Sequence, residues 1–329
     1  MKAIVYDTYG SPDVLRLADV AKPAPGDDEV LIKVHAAALN SWDWDRLTGK
    51  PYVYRLLFGL LKPKLPILGA DVAGTVEAVG RNVKQFQPGD AVFGDLCEGG
   101  WGGLAEYVCA PETALTLKPA GMAFEQAAAT PQAAVLALQG LRDKRPVQPG
   151  QTVLINGAGG GVGTFAVQMA KVFGADVTGV DSPAKLAMLR SLGADHVIDY
   201  TQEDYTQTGR QYDLIVDVVA RRSIADYKRA LTPQGTFVVI GGSIATILQT
   251  ATLGAWFSQS EGQQMSLLMH RPNKNLASII ALFESGQVIP VIDKDYPLPE
   301  AAEAIRYLGA GQAKGKVVVT VAGSGDKLI

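Results

Sequence analysis

The stretch Thr152–Lys171 constrains this 329-residue chain more than any other. Its β-branched run, Thr152-Val153-Leu154-Ile155-Asn156, gives way to five glycines within Gly157–Gly163, and these to Phe165, Val167, Met169 and Ala170 at helix-compatible spacing. Strand, glycine turn and helix in that order suit a pyrophosphate, because glycine lets the backbone approach and the helix N-terminus offers N–H groups. A bare structural turn also uses glycines. Here Gly157, Gly160 and Gly163 form a G-x-x-G-x-x-G, with Gly161 and Val162 opening the helix and Ala158 at the first position of the more familiar G-x-G-x-x-G. The next apolar run, Val177–Val180, closes on Asp181, 18 residues past Gly163, where an acid can bond ribose hydroxyls.

Alternation continues beyond Asp181. The pattern predicts helices over Pro183–Leu192 and Ser223–Leu231, and strands over His196–Tyr200, Tyr212–Val219 and Thr236–Ile240 followed by Gly241 and Gly242. Strands alternating with helices build a parallel sheet covered on both faces. Before the glycine turn, Met1 to about Pro119 reads as short strands cut by Gly and Pro, a β lobe. Val30, Ile32 and Val34 share one face by period-two alternation and His35 the other, which predicts a solvated histidine. Further strands are expected at Val72–Val79, Ala91–Gly94 and Gly103–Cys109, and an Ala-rich helix, interrupted near Pro131, over Phe124–Leu141. The chain therefore divides into a β lobe, 1–119, a doubly wound α/β domain, 120–260, and a return segment, 261–329.

The totals exclude some classes. A net charge of −3 without any Lys/Arg block argues against a nucleic-acid partner. Cys97 and Cys109 fit neither a redox pair nor a zinc knuckle. The residues from Met1 read directly into a strand, so a cytoplasmic, reducing location is expected. Thirty uncharged residues, Leu231–Ser260, hold too many polar residues for a transmembrane segment and suggest a buried interface or pocket wall.

Four motifs in sequence carry a family likeness: Ala37-Ala38-Leu39-Asn40 followed by Asp43; Leu68-Gly69-Ala70-Asp71-Val72-Ala73-Gly74 leading to Val79-Gly80; the glycine turn; and Leu192-Gly193-Ala194-Asp195 leading to Asp199-Tyr200. The chain resembles the zinc-independent quinone oxidoreductase branch of the medium-chain dehydrogenase/reductase superfamily. That resemblance implies an α/β fold, a GroES-like β domain and a Rossmann domain enclosing a cleft. It implies hydride transfer from a nicotinamide cofactor to a small hydrophobic quinone or α,β-unsaturated carbonyl. An enoyl reductase, or a non-catalytic NADPH-binding structural or membrane-associated protein, is the alternative. Where zinc-using relatives carry Cys, His and Cys, this sequence has Asn40, Ala70 and Gln132, so no zinc is expected. The resemblance also implies a homodimer paired through a Rossmann edge strand, to which the uncharged run could contribute.

The implied catalytic residues are Asn40, which orients cofactor or substrate or else only caps a turn, and Leu136, an apolar wall. Asp45 stands where some members have tyrosine; Tyr52 or Tyr54 could substitute, or form an exposed aromatic loop. Gly241, Gly242 and Ser243 are expected near the nicotinamide. Lys316 either reaches the pyrophosphate or is a solvated lysine at a strand start. Asp181 favours NADH, since facing a 2′-phosphate it would cost roughly 3–4 kcal/mol at about 4–5 Å in an effective dielectric near 20. Ser182, Lys185 and Tyr200 match the residues that surround the phosphate in NADPH-using relatives, and the balance falls to NADPH.

Overall fold

The structure, a computed structural model, describes residues 1–321 and, for residues 253–261, the backbone only. The chain forms two compact units: one of Met1–Gln132, Pro272–Ile280 and the stretch from Pro290 on, the other of Ala133–Arg271 and Ala281–Ile289.

In the first unit a seven-stranded sheet is organised on one strand, Glu29–Leu39. Val30, Ile32 and Val34 are fully buried, as their alternation predicts. One edge of this strand pairs antiparallel with Asp71–Val79. The other is shared, with Tyr107–Pro111 on Glu29–Lys33 and the C-terminal strand Lys316–Thr320 on Ala36–Leu39. That register sets Val317 opposite Leu39 and Asp71 opposite Ala38, so Asn40, Asp71 and Lys316 converge at one strand end. His35 departs from expectation. It is half-buried, with Nε2 3.0 Å from Thr75 Oγ1 and its ring stacked 4.3 Å from Phe124, because the helix Phe124–Ala128 covers that face. The expected strand Gly103–Cys109 is found at Tyr107–Pro111.

The second unit is a six-stranded parallel sheet in the order His196–Asp199, Asp176–Asp181, Thr152–Asn156, Tyr212–Asp217, Leu231–Val239, Gln264–Leu267. Numbered along the chain this is 3-2-1-4-5-6, the dinucleotide-binding order, with its topological switch between Thr152–Asn156 and Tyr212–Asp217. Val153, Leu154 and Ile155 are fully buried, which explains a run too apolar to alternate. The uncharged run is not an edge strand. It completes Leu231–Val239 inside the sheet and then forms the helix Ile244–Glu261, and the outer strand is Gln264–Leu267. No described helix is long and apolar enough to cross a membrane.

Candidate active site

In the second unit the strand Thr152–Asn156 ends at Gly157, whose φ of +79° is the left-handed conformation glycine adopts freely. The N–H groups of Gly157 and Ala158 both donate to Val180 O, at 3.0 and 3.1 Å, tying the turn to the neighbouring strand. Gly163 lets the helix Gly161–Val172 close on the turn: a Cβ there would lie 2.3 Å from Gly157 O and 2.5 Å from Ala158 Cα. Gly160 is the N-cap, and Gly161, Val162 and Gly163 form the first turn. First-turn N–H groups have no intrahelical acceptor, and the helix dipole adds partial positive charge. The twelve-residue helix therefore offers an anion cradle behind a turn with little side-chain bulk.

Asp181, Ser182, Lys185 and Tyr200 gather at one rim of this turn. The buried Asp181 carboxylate accepts from Gly159 N at 2.7 Å and Ser182 N at 2.8 Å, and Lys185 Nζ lies 3.6 Å from it. Pro183–Lys185 is a 3-10 turn leading into the helix Leu186–Ser191, which swings Lys185 back over the glycines. Its stem packs on Gly159, where an added Cβ would meet Lys185 Cδ at 2.6 Å. Tyr200 N donates to Asp181 O at 3.3 Å while its side chain stays exposed.

Gly241, Gly242 and Ser243 follow the strand Leu231–Val239. Gly242 packs against Ala220, where a Cβ would fall 2.2 Å from the carbonyl oxygen. Ser243 caps the helix Ile244–Glu261 by accepting from Thr246 N. Leu136 is half-buried in the helix Pro131–Arg142. Sequence reasoning missed Asp217 below the turn. It is buried and accepts from Asn156 Nδ2, Val219 N and Tyr227 Oη, each at 2.9 Å, locking together the two strands at the topological switch. Burial pushes its carboxyl above the usual range. The available signal was an acid, Asp217, inside the otherwise apolar run Leu214–Val219.

The first unit holds a second polar cluster. Asn40 Nδ2 donates to Asp71 Oδ2 at 2.9 Å, and Lys316 Nζ donates to Asn40 Oδ1 at 2.6 Å and lies 3.3 Å from Asp71 Oδ2. Gln132 N donates to the other Asp71 oxygen at 3.1 Å. Lys316 is only 2% exposed, so the expectation of a solvated lysine is overturned: strand register buries it against Asn40. The side chain of Asn40 is held by these two partners, and its backbone N–H is taken up by Asp43 Oδ2 at 2.8 Å. Asp43 also accepts from Gly69 N, and burial still pushes it up to about 6. Burial likewise raises the Asp71 carboxyl, against the pull of Lys316. Tyr52 is 67% exposed, with the Arg55 guanidinium 5.0 Å from its ring. Of the predicted residues, the structure thus brings together the glycine turn with Asp181, Ser182, Lys185 and Tyr200, and separately Asn40 with Lys316.

A sheet in the dinucleotide-binding order with an anion cradle at its switch point, accompanied by a strand-rich unit, defines a two-unit protein of the dehydrogenase/reductase class. Residues 26–120 match the alcohol dehydrogenase GroES-like domain, 123–221 the C-terminal domain of alanine dehydrogenase/PNT, and 192–319 a zinc-binding dehydrogenase domain. The chain is 38% identical to 2-methylene-furan-3-one reductase of Solanum lycopersicum, over 97% of this chain and 79% of that protein. It is 37% identical, with the same coverage, to the chloroplastic NADPH-dependent alkenal/one oxidoreductase of Arabidopsis thaliana. The solved quinone oxidoreductase of Coxiella burnetii superposes with a TM-score of 0.87 at 31% identity, covering 98% of this chain and 99% of that one. The chain belongs to the medium-chain dehydrogenase/reductase superfamily, in its quinone oxidoreductase branch.

Proposed function

We propose that this protein is an NADPH-dependent, metal-free reductase of quinones or α,β-unsaturated carbonyls. The arrangement of Asp181 carries the choice of cofactor. Its carboxylate is engaged by Gly159 N and Ser182 N and lies beside Lys185, so the charge that would repel a 2′-phosphate is turned into the turn and offset. Ser182, Lys185 and Tyr200 then supply a hydroxyl, a cation and a phenol for that phosphate. The bound nicotinamide supplies a hydride, which the chain cannot. The chain's own work is to hold the pyrophosphate at Gly160–Gly163 and to fix the Asn40 amide, which Asp71 and Lys316 lock in one orientation, as the group that orients cofactor or acceptor. Leu136 and Tyr52 remain the candidates on the acceptor side.

The donor set does not fit zinc. Asn40 and Gln132 are amides, Ala70 is a methyl group, and the Asp71 carboxylate between them accepts from Asn40, Gln132 and the Lys316 ammonium. An acceptor already electrophilic, as a quinone or enone is, does not require a Lewis acid. The names of the relatives from tomato and Arabidopsis agree with that class.

Parallel titrations with NADPH and NADH test the reading. Lys185→Ala should weaken NADPH binding about 10- to 100-fold, the worth of one charge-assisted hydrogen bond of about 1.5–3 kcal/mol, and leave NADH within about twofold. Equal affinity of the variant and wild type for NADPH would refute the cofactor assignment. Reduction of 9,10-phenanthrenequinone or of an enone should survive dialysis against a chelator, and activity that returns only with added Zn²⁺ would refute the metal-free mechanism.

A further inference from the structure

One segment of the first unit, 50–66, is rich in exposed leucines and lysines. Between Arg46 and Ala70 the sequence has no aspartate or glutamate. This segment contains the 3-10 turn Tyr52–Tyr54 and the helix Arg55–Phe58, and it is pinned from beneath. The Arg46 guanidinium lies 4.4 Å from the rings of both Phe58 and Trp101. Tyr9 Oη donates to Gly59 O at 2.6 Å, and Arg55 Nε donates to Gly49 O at 3.1 Å. With Tyr54 and Phe58 turned inward as the anchor, Leu56, Leu57, Leu60 and Leu61 turn out, 68%, 69%, 65% and 89% exposed. Lys50, Lys62 and Lys64 of the same segment are exposed, and the last two line a groove with Tyr6, Asp7, Pro63 and Pro66.

We propose that this segment seats the protein on an anionic bilayer surface. Side chains held out from a fixed backbone lose little further backbone freedom when they insert. Leucines between lysines match an interface in which acyl chains lie below anionic headgroups. A protein partner fits less well, since leucine is under-represented among the residues that dominate protein interfaces and lysine is depleted from their cores. The Asp7 carboxylate in the groove is outnumbered by Lys62 and Lys64. Binding of this kind is independent of the reaction proposed above.

Co-sedimentation with vesicles of mixed phosphatidylcholine and phosphatidylserine, and of phosphatidylcholine alone, tests it without cofactor or acceptor. The wild type should bind the mixed vesicles about tenfold or more tightly than the neutral ones, each lysine near the surface contributing about fivefold. Leu57→Glu/Leu61→Glu should weaken binding to the mixed vesicles by about tenfold or more. Lys62→Glu/Lys64→Glu should abolish the preference for anionic lipid. Near-UV circular dichroism confirms that the variants are folded, and Leu61→Ser alone is a milder check at the most exposed position. No binding to mixed vesicles, or wild-type binding by the leucine variant, overturns the proposal. So does a wild-type dimer in sedimentation velocity that the leucine variant lacks, or retention on a polyglutamate matrix, if either occurs without vesicle binding.

Discussion

Asp45 is half-buried, and burial alone pushes its carboxyl up to about 6. A carboxyl raised in the folded state binds more protons there than in the unfolded chain, so its contribution favours folding below about pH 4 and is lost as pH rises through about 6. Asp45→Asn should therefore stabilise the protein at pH 7 by about 1–2 kcal/mol, after discounting for residual solvent, and change nothing below about pH 4. Urea melts of both proteins at the two pH values check this, and an equal effect at both would refute it. Lys316 makes the opposite case. Lys316→Met leaves the buried Asp71 without its cation and should cost about 3–5 kcal/mol, part of which Asp71→Asn in the same chain should restore. A strictly additive double variant in denaturant melts would show that the pair is uncoupled. None of this was legible from the residues alone: Lys316 and Asn40 are 276 positions apart, and only strand register makes them neighbours.

At the scale of elements, the strand–turn–helix at Thr152–Val172 was legible because its determinants are local. A buried strand needs a continuous apolar run, and a close backbone approach needs glycine. The parallel sheet followed from the alternation of strands and helices, while the order of its strands did not. The uncharged run misled because a central strand and a helix can be as free of charge as an edge. Two glycines of the turn are expected to behave differently. Gly163→Ala drives a methyl into the Gly157 carbonyl, which cannot yield, and should cost about 1–3 kcal/mol of stability along with cofactor affinity. Gly159→Ala meets side chains rather than backbone, Lys185 Cδ at 2.6 Å, Lys185 Cβ at 2.8 Å and Asp181 Oδ2 at 3.1 Å, so it should cost less stability than Gly163→Ala, yet bind NADPH more weakly than wild type. Thermal melts paired with cofactor titrations separate the two, and identical behaviour would contradict the division of labour along the turn.

Across the whole molecule, the chain leaves the first unit, builds the second, and returns twice, at Pro272 and Pro290. The strand Lys316–Thr320 then takes the edge of Glu29–Leu39 beside Ala36–Leu39. During synthesis that edge waits for nearly the entire chain, for roughly 15–60 s at about 5–20 residues per second. Until then Ala36–Leu39 offers an unpaired backbone and Asp71 has no cation, while the second unit's six strands have all been made. An open edge is a template for the wrong neighbour. Among the described strands Lys316–Thr320 is the last to be made and the one that closes this edge, so a slow ribosome or a scarce holdase should limit the yield of this protein before its stability does.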